Sequence, residues 1–225
     1  MRNTILSAIL VGGLPLSVLA AGGHYPVDDA DITAPGDIQI ETWFTRVDGD
    51  NSEFAFLPAW TPPGTTLELT AGFYRLDEDG DSFNRFEPAA KWQFSPLEPG
   101  RVAVAASVAL GFDDGDFTDW LVNLPVSYEL PNAPIVLHGN VGWIRLREDE
   151  DVDRAFLGAA FEWGATDAFD LIGQVYREGA DEDPEAQLGL RFGFGGPLDH
   201  IDFAAGRTLR GDKDWFFTVG LGLTF

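Results

Sequence analysis

No cysteine occurs among the 225 residues, so disulfides, thiol catalysis, cysteine metal sites and a lipid anchor on an amino-terminal cysteine are all excluded. Positive charge is scarce as well. Lys and Arg number 14 against 37 Asp and Glu, for a formal charge of -23. Phosphate backbones need a basic surface, so nucleic acid is excluded as a partner. Lys91 and Lys213 are the only lysines and His24, His138 and His200 the only histidines, which limits the general bases on offer. Beyond the first twenty residues no apolar run approaches the roughly 20 residues of a spanning helix. If the processed chain enters a membrane, it does so as strands.

The amino terminus reads as a secretory signal peptide. Arg2 supplies the positive end, Ile5 to Leu19 the apolar stretch, and Val18-Leu19-Ala20 the small residues a signal peptidase reads. Cleavage is expected after Ala20, with Ala21 as second choice. Gly12, Gly13 and Pro15 interrupt the run and argue against a helical anchor. The expected organisation is a signal peptide over 1–20, a periplasmic segment or plug over 21–36, and a transmembrane β-barrel over 37–225.

From residue 37 the chain repeats about ten alternating residues followed by a turn, the length a tilted strand needs to cross a bilayer. Twelve strands are expected, near 37–46, 53–61, 65–75, 84–94, 101–112, 119–130, 134–146, 154–164, 168–178, 185–194, 199–208 and 215–225. An even count suits an antiparallel up-and-down barrel. Pro58, Pro88 and Pro125 fall inside strands and predict bulges there, since proline cannot donate to a ladder. The connections alternate in kind. Short Pro- and Gly-rich turns, such as Thr61-Pro62-Pro63-Gly64, take turns with longer acidic loops, such as Glu148-Asp149-Glu150-Asp151. Periplasmic turns on one rim and extracellular loops on the other would produce that order. Trp43, Trp60, Trp92, Trp120, Trp143, Trp163 and Trp215 lie near strand ends, as aromatic girdles require.

One face of each strand is apolar and aromatic. The other carries Glu41, Glu68, Glu87, Lys91, Gln93, Asn123, His138, Asn140, Glu162, Gln174, Gln187, Arg191, His200 and Asp202. The apolar side is read as facing lipid. The polar side is read as lining a lumen, with Glu41, Glu68, Glu87, Lys91, Asn123, His138, Asn140, Glu162, Arg191 and Asp202 as its candidate residues. A soluble lipocalin-like barrel is the competitor and would turn the apolar faces inward.

The final strand alternates Trp215, Phe217, Val219, Leu221, Leu223 and Phe225 with small or polar residues. It resembles the closing strand of bacterial outer-membrane barrels, which implies that Trp215, Phe217 and the terminal Phe225 form a signal for the barrel assembly machinery of a Gram-negative cell. Val27-Asp28-Asp29-Ala30, then Gly36, Gln39 and Glu41, resemble the opening of the outer-membrane family named for the meta-pathway of phenol degradation. That resemblance covers about 20 residues. It implies a porin-like role in moving small hydrophobic or aromatic compounds across the outer membrane, with lipid and lipopolysaccharide around the barrel.

Three functions are weighed on this reading. The first is a channel or transporter for small molecules, its selectivity set by Glu68, Glu87, Lys91, Glu162 and Arg191 unless those pair off and fill the lumen. The second is a lipid hydrolase, which needs Ser and His within hydrogen-bond reach and a third orienting group. His138 has no Ser on its own strand, and Ser107 and Ser127 on neighbouring strands carry no local motif, so no enzyme is expected. The third is a structural or adhesive barrel acting through acidic loops. None has the spacing of an EF-hand, so no metal site and no cofactor are expected.

Overall fold

The structure, a computed structural model, describes residues 24–47, 51–78, 80–147, 151–166, 168–180, 182–210 and 215–225. The expected signal peptide lies outside the described residues. The strands are β1 (Ile38–Val47), β2 (Ser52–Trp60), β3 (Leu67–Glu78), β4 (Asp81–Ser95), β5 (Val102–Asp113), β6 (Asp116–Glu129), β7 (Ile135–Leu146), β8 (Val152–Thr166), β9 (Phe169–Glu178), β10 (Glu185–Gly193), β11 (Leu198–Thr208) and β12 (Trp215–Thr224). Each pairs antiparallel with its chain neighbours, and β1 pairs with β12, so the twelve strands close into a barrel. Closure leaves no strand edge unpaired. Even the chain end is held. Phe225 and Ile38 exchange two backbone hydrogen bonds, at 3.0 and 2.9 Å, where a terminus would otherwise fray.

The period of two sorts every strand into two faces. Val141, Phe94 and Phe225 are 62%, 59% and 59% exposed, whereas Arg191, Asp202 and Glu162 are 1%, 1% and 2% exposed. The apolar faces therefore point out and the polar faces point in, the reverse of a lipocalin. An exposed apolar band on every strand far exceeds the patches a monomeric soluble protein carries.

Three sequence expectations are corrected. First, the prolines make no bulges. Each ladder continues in register past its proline, skipping the bridges at Pro58 between β2 and β3, at Pro88 between β4 and β5, and at Pro125 between β5 and β6. Each proline stays paired on its other side, with Ile40, Ala71 and Asn140. Losing one donor thus breaks a local bond without adding a residue. The register shifts lie elsewhere, at Gln93/Ser95, Gly111/Phe112, Gly164/Thr166 and Leu198/His200.

Second, the rims differ in chemistry rather than in length. The acidic connection expected over 113–118 is a two-residue hairpin, because Asp113 pairs with Asp116. Asp114 and Gly115 take φ of 48° and 99°, the left-handed pair a tight hairpin demands. Strands β5 and β6 extend into this rim, where Phe112 and Phe117 pack at 5.3 Å. Third, Trp43 is not in a girdle. It shares a face with Gln39 and Glu41 and is buried inside the barrel. Trp60, Trp92 and Trp163 are exposed near the Pro/Gly rim, and Trp143 and Trp215 near the acidic rim.

Candidate functional site

The barrel interior is occupied by the chain's own residues 24–33. Gly36, at φ 106°, turns the chain out of the lumen into β1 and donates its backbone N–H to Thr61 O at 2.8 Å. Upstream of it the segment crosses from the β3–β6 wall to the β9–β12 wall. A buried extended segment must place its backbone groups somewhere. Here inward side chains take the part of a neighbouring strand. Thr33 N donates to Glu68 at 2.6 Å, Ala30 N to Ser127 Oγ at 2.9 Å, Asp28 N to Asn140 Oδ1 at 2.9 Å and Val27 N to Gln174 Oε1 at 3.0 Å. Asn140 Nδ2 returns a bond to Asp28 O at 2.6 Å, and Gln93 Nε2 donates to Ala30 O at 3.2 Å.

Charge and shape hold the same segment. Lys91 Nζ lies 2.9 Å from Asp28 and 3.2 Å from Asp29. Burial pushes the Asp29 carboxyl up to about 7, against the pull of Lys91. Burial takes His24 down to about 4, only partly offset by Asp202, so its ring is neutral at neutral pH. Glycines on the wall make room. A Cβ at Gly158 would come 2.7 Å from Val27, one at Gly220 would come 3.1 Å from His24, and one at Gly189 would overlap the Tyr25 hydroxyl. The motif residues Val27, Asp28 and Asp29 are therefore the middle of a lumen insert. Gln39 accepts from Thr33 Oγ1 at 3.0 Å and donates to Glu41 at 3.2 Å.

Among the described residues, two cavities of about 500 Å³ each lie beside the segment. The first runs beside the segment along the β1–β5 wall. It reaches from Gln39, Ala59 and Glu68, next to the Pro/Gly rim, to Ile144 and Glu178, next to the acidic rim. Asp28, Asp29, Asp31, Glu41, Glu68, Glu87 and Glu178 line it against Lys91 and Arg191. The second lies between the segment and the acidic rim. His24, Tyr25 and Pro26 line it together with Trp43, Tyr74, Tyr176, Phe216, Glu53 and Glu185.

The candidate lumen residues are all inward, but they divide into groups. Glu41, Glu68, Glu87, Lys91, Asn123 and Arg191 border the first cavity. His138, Asn140, Glu162 and Asp202 border neither cavity and are buried. Arg191 grips Asp202 through two bonds of 2.9 and 2.8 Å. Arg85, which the sequence reading did not single out, binds Asp119 at 2.6 and 2.7 Å, Glu87 at 2.8 Å and Asp113 at 3.3 Å.

Ser127, His138 and Glu162 do come together. Ser127 Oγ is 2.8 Å from His138 Nδ1, and His138 Nε2 is 3.1 Å from Glu162, off the line of a hydrogen bond. Hydrolysis needs an approach to the serine as well as a triad. Ala30 N caps Ser127 Oγ, and no member of the trio borders either of these two cavities. The trio is part of the packing under the segment.

Of the aromatic chamber residues, the sequence reading placed Trp43 in a girdle and gave Tyr74, Tyr176 and Phe216 no role. Their signal was parity, because Trp43, Tyr74, Tyr176 and Phe216 are aromatic side chains on the otherwise polar face. Trp215, Phe217 and Phe225 are exposed on the outer face, Trp215 at the start of β12 and Phe225 just past its end.

A family model described as "Uncharacterised conserved protein UCP029691" matches residues 10–225. No curated protein matches the chain. Among solved structures, the barrel is similar to the KdgM porin in complex with disordered oligogalacturonate. The two are 10% identical with a TM-score of 0.67, over 83% of this chain and 99% of that one. It is also similar to the NanC porin, 6% identical with a TM-score of 0.63, over 83% of this chain and 98% of that one. At these identities the likeness is one of fold, a closed antiparallel barrel.

Proposed function

The chain belongs to the family described as Uncharacterised conserved protein UCP029691, whose description states no activity, and we propose from the lumen that it is an outer-membrane channel for small molecules. The carrying observation is the acidic cavity beside the segment, which runs most of the barrel's length between a lipid-facing exterior and the docked residues 24–33. Twelve strands enclose more than eight, which side chains just fill, and less than a sixteen-strand porin channel. On this reading the acidic rim faces outside, the Pro/Gly rim faces the periplasm, and the docked residues 24–33 are a plug that narrows the passage. Outer-membrane lipid and lipopolysaccharide cover the exterior. The outer face of β12, with Trp215, Phe217 and the final Phe225, is what the barrel assembly machinery reads.

The solute is proposed to be small and hydrophobic or aromatic. Two things support this. The Val27-Asp28-Asp29 and Gly36–Glu41 motif resembles the phenol meta-pathway family, and the chamber facing the acidic rim is lined by aromatic rings. KdgM was solved with an oligogalacturonate, a carboxylated chain. Seven lumen carboxylates would repel such a polyanion here, so that cargo is not carried over. The reading is tested by permeation into liposomes holding the refolded barrel, with phenol compared against sugars. Phenol flux above that of empty liposomes, and above sugar flux, is expected. Flux equal to empty liposomes for every solute would remove the channel.

A further inference from the structure

The chamber between residues 24–26 and the acidic rim is lined by two carboxylates, Glu53 and Glu185, and by no lysine or arginine among the described residues. Each carboxylate is fixed by an aromatic donor. Trp43 Nε1 donates to Glu53 at 2.6 Å, and the Tyr176 hydroxyl donates to Glu185. A carboxylate offers about four acceptor sites, so one donor leaves most of its capacity for a ligand. Trp43 also meets Tyr74 edge to face at 6.1 Å, which sets ring faces beside the acids. His24, Tyr25 and Pro26 form the floor. The nearby cation Arg85 is already held by Glu87, Asp113 and Asp119.

Rings and two carboxylates with no basic side chain beside them share one cavity of about 500 Å³, a volume that suits a small ligand. Ring faces and carboxylates both attract a cation, and ring bodies also pack against an apolar one. We propose that this chamber binds a small organic ammonium ion with an aromatic or alkyl body. The ammonium group sits between Glu53 and Glu185 and the body lies against Trp43, Tyr74 and Phe216. An anion of the same shape meets two like charges with no counter-cation. A neutral analogue keeps the rings and loses the charge attraction. The site rests on the channel reading for how a solute arrives and leaves, but binding is measured without transport.

The test is calorimetric titration of the refolded barrel in detergent micelles with phenethylammonium, phenethyl alcohol and phenylacetate. Saturable binding of the ammonium ion is expected, about tenfold or more tighter than the alcohol, with no binding of phenylacetate. Salt near ~1 M should weaken it. The Glu53→Gln/Glu185→Gln variant should lose about tenfold or more for the ammonium ion while its affinity for the alcohol is unchanged. No saturable heat with phenethylammonium, equal affinity for all three probes, or an unaltered double variant would each overturn the site. If the double variant does not refold, as read by heat-modifiable gel mobility, the ranking of the three probes on the native barrel decides alone. Conductance is recorded separately. A barrel that binds the cation and passes no current keeps the site and loses the channel, and one that conducts without binding does the reverse.

Discussion

Val141 stands on the outer face in the middle of β7, 62% exposed. A soluble surface would accept an arginine there at little cost. On a lipid-facing strand near the bilayer midplane, arginine costs about 2–4 kcal/mol. Val141→Arg is therefore expected to lower stability by that amount in denaturant titrations of the barrel folded into vesicles, and to change little if the face meets water. Two buried groups inside the segment give a second residue-level outcome. Asp29 has its value raised to about 7, from an ordinary 3.8. Its contribution to docking is full below about 3.8 and lost as pH rises through about 7. His24 has its value lowered to about 4, from an ordinary 6.5. Its contribution is full above about 6.5 and lost as pH falls through about 4. The two oppose each other over one window, so the native segment should dock almost equally across it. Asp29→Asn leaves the histidine limb, and the segment should loosen on acidification. His24→Asn leaves the carboxylate limb, and the segment should loosen as pH rises. Protease cleavage of the segment across that pH range reads both, and two variants with the same pH trend would refute the assignment.

Among the elements, the strands were legible, whereas the segment was left between a periplasmic stretch and a plug, for a physical reason. A strand declares itself by alternation between its own neighbours, and lipid outside with polar groups inside makes the contrast strong along all twelve. Trp43 follows that rule as well; only its nearness to a strand end suggested a girdle. The segment has no such periodicity. Its partners stand 35 positions away at Glu68 and 147 away at Gln174, and nothing local announces them. For the same reason Asn140 and Gln174 read as generic polar lining and Ser127 as a serine without a motif, whereas Gln174 and Ser127 each serve one backbone group of the insert and Asn140 serves two. The glycines opposite it carry no signal of their own, and their role shows only once Tyr25 is seen over Gly189. A side chain placed at that notch should evict the segment while leaving the ladder intact. Gly189→Val is expected to raise conductance in planar bilayers toward that of a variant lacking residues 24–33, with heat-modifiable mobility unchanged. A Gly189→Val barrel that conducts like the native one, beside a deletion variant that conducts more, would show that the segment tolerates the methyl groups and is held by its hydrogen bonds alone.

At the scale of the molecule, charge would decide which ions pass through the proposed channel. The chain carries -23 overall, and its acidic connections crowd one rim. Inside, Lys91 and Arg85 are already claimed by carboxylates, so the passage beside the segment presents mostly negative charge to a solute. A low-dielectric wall around such a lumen focuses the field and raises the local concentration of cations. The reach of that field is the Debye length, about 10 Å at 0.1 M salt and about 3 Å at 1 M. A narrow lumen lies within the first distance and largely outside the second. The barrel is therefore expected to show a reversal potential of cation-selective sign across a dilute KCl gradient, and to lose most of that selectivity near ~1 M. Glu68→Lys and Glu87→Lys together replace two wall carboxylates with cations and should move the reversal potential toward the anion side, by more in dilute salt than in concentrated. An anion-selective native barrel, or one whose selectivity ignores both salt and these substitutions, would mean that the current does not pass along the acidic wall.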